Sequence, residues 1–163
     1  MLGAAAFLMK NGKNVTFELN TPIAGDAPFG GYLKDDKTTY RTLRNAFNAA
    51  QASFRGLSET PESLTNRDLQ GFNAAAWSSL REGCEHTLAE KSKDLEVVCW
   101  WVAAMLHGDT PLENTSNALQ ALADYAGSDL DNLQPILPET KRKGETLEAQ
   151  AAEIAELKLR PFV

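Results

Sequence analysis

The sequence predicts an all-α protein: a helical bundle of about five main helices around one buried central helix, entered by an irregular N-terminal arm. Three observations carry that prediction. The first is the stretch at residues 92–106, SKDLEVVCWWVAAML, whose last ten residues hold no charge and include Trp100 and Trp101. Such a run is about half the roughly 20 apolar residues of a bilayer span and longer than the roughly 4 to 8 of a buried strand, so it reads as a buried helix. Val97, Val98 and Val102 lean towards strand, but Ala103-Ala104-Met105-Leu106 favours helix and Gly108 offers a left-handed stop. Apolar residues on every face require neighbours all round. At about 25 cal/mol per Å², a tryptophan burying roughly 150 to 250 Å² contributes about 4 to 6 kcal/mol as an upper bound. The second observation is a stripe at +3, +4, +3, +4 spacing through Tyr40, Leu43, Phe47, Ala50 and Phe54. The third is punctuation, because capping residues, prolines and glycines divide the chain into helix-sized pieces.

In chain order, residues 1–33 read as the irregular arm. Asn11-Gly12-Lys13 is a turn, residues 15–19 form a short extended piece, and TPIAGDAPFGG at 21–31 holds too many prolines and glycines for a helix. Asp35 or Asp36 suits a helix N-terminus, and the first stripe runs from there to a stop at Gly56. A loop, SETPES, precedes a second helix over 66–90 with Leu69, Asn73, Ala76, Leu80, Cys84 and Leu88 on one face and Trp77 beside them. Gly71 and Gly83 weaken that helix by roughly 1 kcal/mol each relative to alanine.

Ser92 is positioned to cap the central helix, predicted over 93–107, with Asp94 and Glu96 in its first turn where the helix dipole favours negative charge. Thr110-Pro111-Leu112-Glu113 has the form of a capping box with proline at the first helical position. Leu119, Leu122 and Tyr125 line one side of that fourth helix, which is expected to stop at Gly127. SDLDNLQPILPE is a proline-bounded connection, and residues 140–159 form a charged last helix with Leu147, Ala151, Ile154 and Leu157 at helical spacing. The expected organisation is an arm at 1–33, a helical domain at 34–138 and a C-terminal helix at 139–163. Tyr40, Leu43, Trp77, Val97, Trp101 and Leu119 are the expected core.

Composition narrows the function classes. A chain of 163 residues with 43% hydrophobic and 23% charged residues suits one soluble domain with a sizeable core. The net charge of -6 and pI near 4.9 disfavour nucleic acid and anionic membrane surfaces, both of which call for a basic patch. Protein partners fit better. Cys84 and Cys99 are too few for a disulfide framework and lie in helical patterns, which points to a reducing compartment. Residues 2–9 have the look of a short signal h-region, but the first positive charge, Lys10, follows rather than precedes them, which argues against secretion.

Catalytic constellations are missing from the sequence. Of the candidate metal ligands Cys84, His86, Cys99 and His107, the last two are eight residues apart on one helix, about 12 Å at 1.5 Å per residue, too far to share a tetrahedral ion. Cys84 and His86 are two apart and face different directions. No nucleophile elbow or phosphate-binding loop occurs, and Gly30-Gly31 is a turn signal. Glutamates 145, 148, 153 and 156 read as a solvated helix face. The expectation is a protein with no catalytic residue, metal or cofactor.

The order of residues around the central helix adds a further reading. Ser92-Lys93-Asp94-Leu95-Glu96-Val97 followed by Trp101 resembles the signature of the ImpA N-terminal family, the TssA-like (TssA/TagA) proteins of bacterial type VI secretion. The resemblance covers roughly residues 21–138. Pro22-Ile23, Pro28 and Gly30 look like the family's entry segment, and Tyr40, Leu43 and Arg44 are similar to its first helix. Trp77 sits where the family places a tryptophan, and Asp131-Asn132-Leu133-Gln134-Pro135 looks like its closing run, with Leu130 replacing an aromatic residue.

The resemblance implies a cytoplasmic, non-enzymatic assembly protein that binds baseplate, tube or sheath components, with no nucleic acid and no membrane insertion. Self-association stays open, as does the choice between priming the sheath and capping its distal end. Family members carry different C-terminal regions after this domain, so the last helix is expected either to pack on the bundle or to lead to such a region. The alternative is a generic cytoplasmic helical adaptor unrelated to secretion. For the motif Ser92, Lys93, Asp94, Leu95 and Glu96, two roles remain: a structural cap or a partner contact.

Overall fold

The computed structural model describes residues 6–10, 13–63 and 65–163. Five α-helices dominate it: α1 (Lys37–Glu59), α2 (Arg67–Glu90), α3 (Leu95–Met105), α4 (Pro111–Asp129) and α5 (Leu147–Leu159). The all-α reading holds, with α3 as the central helix: Leu95, Val97, Val98, Trp100, Trp101, Ala104 and Met105 are all buried. In the arm, the expected extended piece is the second strand of a hairpin, β1 (Ala6–Lys10) against β2 (Lys13–Phe17), antiparallel with Leu8 opposite Val15. Residues 11 and 12 of the predicted turn lie outside the described residues. A two-stranded hairpin is marginal alone. This one is fastened by Phe17, buried edge-on to Trp101 at 5.3 Å between ring centroids, and by the buried Leu19 that follows.

Helix ends follow from local chemistry more than from glycine. The Asp36 carboxylate accepts from the Thr39 N–H and starts α1. That helix continues through Gly56 and stops where Pro61 pushes Thr60 into extended backbone. Asn66 caps α2 by accepting from the Leu69 N–H. Its buried face carries Asn73, Trp77, Leu80, Cys84 and Leu88 against α1 and α3.

Several expected boundaries shift. Gly127 stays inside α4, which runs to Asp129. Gly108 is not left-handed: among the described residues the positive-φ glycines are Gly25 and Gly30. Thr110 does not form the capping box; its hydroxyl bonds the Asn114 side chain instead. The last helix begins at Leu147, not near residue 140, because the Thr146 hydroxyl caps it by accepting from the Ala149 N–H. Leu119 is not core. It is 51% exposed, while Ala118 and Tyr125 hold the buried side of α4, so the helix is rotated from the register that the leucines suggested.

Candidate functional site

The motif residues converge on a crossing of three segments. Gly30, at φ 68°, pairs in antiparallel fashion with Ser92, and Asp94 pairs in parallel with Gln134. The Lys93 N–H donates to the Phe29 carbonyl at 2.9 Å, the Leu95 N–H to the Gln134 carbonyl at 2.9 Å, and the Gln134 N–H back to the Lys93 carbonyl at 3.2 Å. The Gln134 side-chain amide then donates to the Gly30 carbonyl, closing the loop between the arm and the chain beyond α4. A Cβ at Gly30 would lie 2.1 Å from the Lys91 carbonyl oxygen, so the close approach requires glycine as well as the positive φ.

Each motif side chain has its own place there. The Ser92 hydroxyl donates to the Gly31 carbonyl at 2.7 Å; it does not cap α3. The cap is Asp94, whose carboxylate accepts from the Glu96 N–H at 2.9 Å. Burial pushes the Asp94 carboxyl up to about 6. Lys93 is 1% exposed, and its ammonium donates to the Leu19 carbonyl at 2.9 Å beside the rings of Phe17 and Tyr125. Burial pushes that ammonium down to about 8. Leu95 is buried, and Glu96 is the one partly exposed member. Its carboxylate accepts from the Tyr40 hydroxyl at 3.2 Å and pairs with Lys34 at 3.1 Å.

Of the expected core residues, Leu43, Trp77, Val97 and Trp101 are buried and Tyr40 is half-buried on the rim. The structure adds a residue that periodicity overlooked. Glu85 is fully buried on α2, accepts from the Trp101 indole N–H at 3.2 Å and lies 3.9 Å from Arg81. Burial, opposed by that hydrogen bond and by Arg81, pushes its carboxyl up to about 7. A signal existed: Glu85 falls beside Cys84 and Leu88 on the apolar stripe. The Cys84 and Cys99 thiols are both pushed up by burial, Cys99 to about 11, which keeps them protonated near neutral pH.

His107 stacks on Trp77 at 3.9 Å over a cleft of about 350 Å³ bordered by Ser78 and Arg81, while His86 faces solvent near Glu90. Among the described residues no group of three His, Cys, Asp or Glu side chains is placed to hold a metal ion, and no helix is long and apolar enough to cross a membrane. A second concavity is an apolar groove of about 660 Å³ between α4 and α5.

Fold and crossing together define a helical domain whose polar signature laces two distant loops onto a hydrophobic central helix. The chain belongs to the family described as ImpA, N-terminal, type VI secretion system, whose model matches residues 20–158. That match takes in the arm from Asn20 and most of α5, reaching beyond the segment whose motifs resemble the family. The chain is thus a type VI secretion component. No curated protein and no solved structure matches it.

Proposed function

We propose that this chain is a non-enzymatic assembly protein of the type VI secretion tail, working in the cytoplasm by binding baseplate, tube or sheath components as the tail polymerises. The family match over residues 20–158 carries this reading. The geometry supports it. The buried charged side chains Glu85, Lys93, Asp94 and Lys158 are each engaged in hydrogen bonds within the fold. Binding then falls to exposed surfaces held on a rigid scaffold. In this reading Ser92, Lys93, Asp94 and Leu95 shape the domain from within, and Glu96 alone of the motif reaches the surface. Deleting the domain from the protein in living cells should change the number or length of fluorescently labelled sheaths. Unchanged sheath assembly and contraction, with the truncated protein's expression confirmed, would overturn the reading and leave a helical adaptor.

A further inference from the structure

The groove between α4 and α5 departs from the rest of the surface in two independent ways. It is apolar: Leu119, Leu122 and Ala126 on one wall face Ala151, Ile154 and Leu159 on the other, with Leu95 also lining it. At helical spacing Leu112 extends the first wall and Leu147 the second, and these two are 81% and 84% exposed. Two facing stripes of this kind are what a helix presents to a partner helix, yet neither wall fills the space between them.

The second departure is charge. Segments 111–131 and 147–162, which build the walls, hold seven carboxylates (Glu113, Asp124, Asp129, Asp131, Glu148, Glu153 and Glu156) against only Lys158 and Arg160, a net of -5. The whole chain has a net of -6, so nearly all of its imbalance is carried by the two segments that build the walls. Neither cation offsets it freely. The Lys158 ammonium donates to the Leu130 and Asp131 carbonyls at 2.7 and 2.9 Å, and Arg160 pairs with Glu156 at 3.2 Å.

We propose that this groove docks one amphipathic helix of a protein partner, with aliphatic residues on its inserted face and Lys or Arg along its flanks. This rests on the assembly-protein reading and names the surface and the partner chemistry. An apolar slot takes side chains at i, i+3, i+4 and i+7 of an inserted helix, and the net negative charge of the segments that build its walls favours basic residues and raises the association rate. A second copy of this chain would bring like charge to an acidic surface. A small polar ligand would find no set of converging polar groups, since Asp131 and Lys158 are the only charged residues lining the groove.

The test titrates the purified chain with a fluorescein-labelled 18-residue Leu/Lys amphipathic helix and with its Leu/Glu counterpart, following anisotropy. The Leu/Lys peptide should bind and the Leu/Glu peptide should not. Leu119→Lys, at an exposed position that leaves the fold intact, should weaken binding about tenfold or more. Charge reversal by Asp124→Lys with Glu148→Lys should weaken it several-fold, whereas Glu59→Lys with Glu62→Lys, equal in charge but distant, should change it less than twofold. Equal loss from both charge pairs, equal binding of both peptides, or indifference to Leu119→Lys would overturn the proposal. So would a parent dimer in sedimentation that becomes a monomer on Leu119→Lys, which would assign the groove to a second copy. Peptide binding lost while domain deletion still alters sheaths would reject the groove alone; normal peptide binding with unaltered sheaths would reject the assembly role alone.

Discussion

The crossing at Ser92–Leu95 and the groove between α4 and α5 invert the usual distribution of residue types. The crossing buries a serine, a lysine and an aspartate to 1–2% exposure, whereas the groove and its extensions leave leucines half to four-fifths exposed. Polar groups are tolerated inside only when each finds a partner, and here Gly31, Leu19 and the Glu96 N–H supply them. Apolar groups left in contiguous exposed rows mark surfaces that await cover. The inversion separates two jobs: one region fixes the arm and the Gln134 loop on α3, and the other is free to meet a partner.

The largest effect should come from the centre of the fold. Trp101→Ala removes the ring that packs on Phe17 and takes away the donor to Glu85, and should cost about 3 to 5 kcal/mol in a denaturant or thermal melt. A variant as stable as the parent would remove α3 as the organising element, and with it the rigid base of both regions.

Next comes the buried carboxyl. Glu85 is held up to about 7 from an ordinary 4.5, so the folded chain keeps a proton that the unfolded chain releases. Its contribution is therefore fully present below about pH 4.5 and is lost as pH rises through about 7, worth about 3 kcal/mol at most at roughly 1.4 kcal/mol per unit. Asp94 behaves in the same direction with its carboxyl at about 6, so the parent is measured against Glu85→Gln to isolate one group. Glutamine keeps an acceptor for the indole N–H and carries no charge. The stability of the variant relative to the parent should rise between pH 5 and 8. A difference that stays flat with pH would mean that Glu85 is ionised throughout.

Much of the fold was legible because its signals are local and repeated. The stripes of α1 and α2, the acidic start of α1 at Asp36 and the uncharged run of α3 all follow from spacing and side-chain chemistry within one turn or two. Glycine misled where its context was not local. Gly56 and Gly127 sit inside helices because nothing there demands a left-handed residue, whereas Gly30 is left-handed because the Lys91 carbonyl lies against it from 61 residues away. The motif residues were legible as a group, and their roles were not. Ser92 looked like the cap since it precedes the apolar run, but the chain stays extended through Lys93 to pair with Phe29 and Gln134, which passes the cap to Asp94. Leu119 was misplaced for the same reason: α4 turns its small Ala118 and its Tyr125 inward, a choice set by the space beside α3.

The smallest stability effect provides the most direct test of the division between the two regions. Ser92→Ala leaves the buried Gly31 carbonyl without its hydroxyl donor and should cost about 1 to 3 kcal/mol. The measurement is the affinity of the folded Ser92→Ala variant, taken well below its melting temperature, for whichever baseplate, tube or sheath protein captures the parent. Lowered stability with unchanged affinity is the predicted result. A variant that melts with the parent but no longer binds would place recognition in the motif itself and contradict the account.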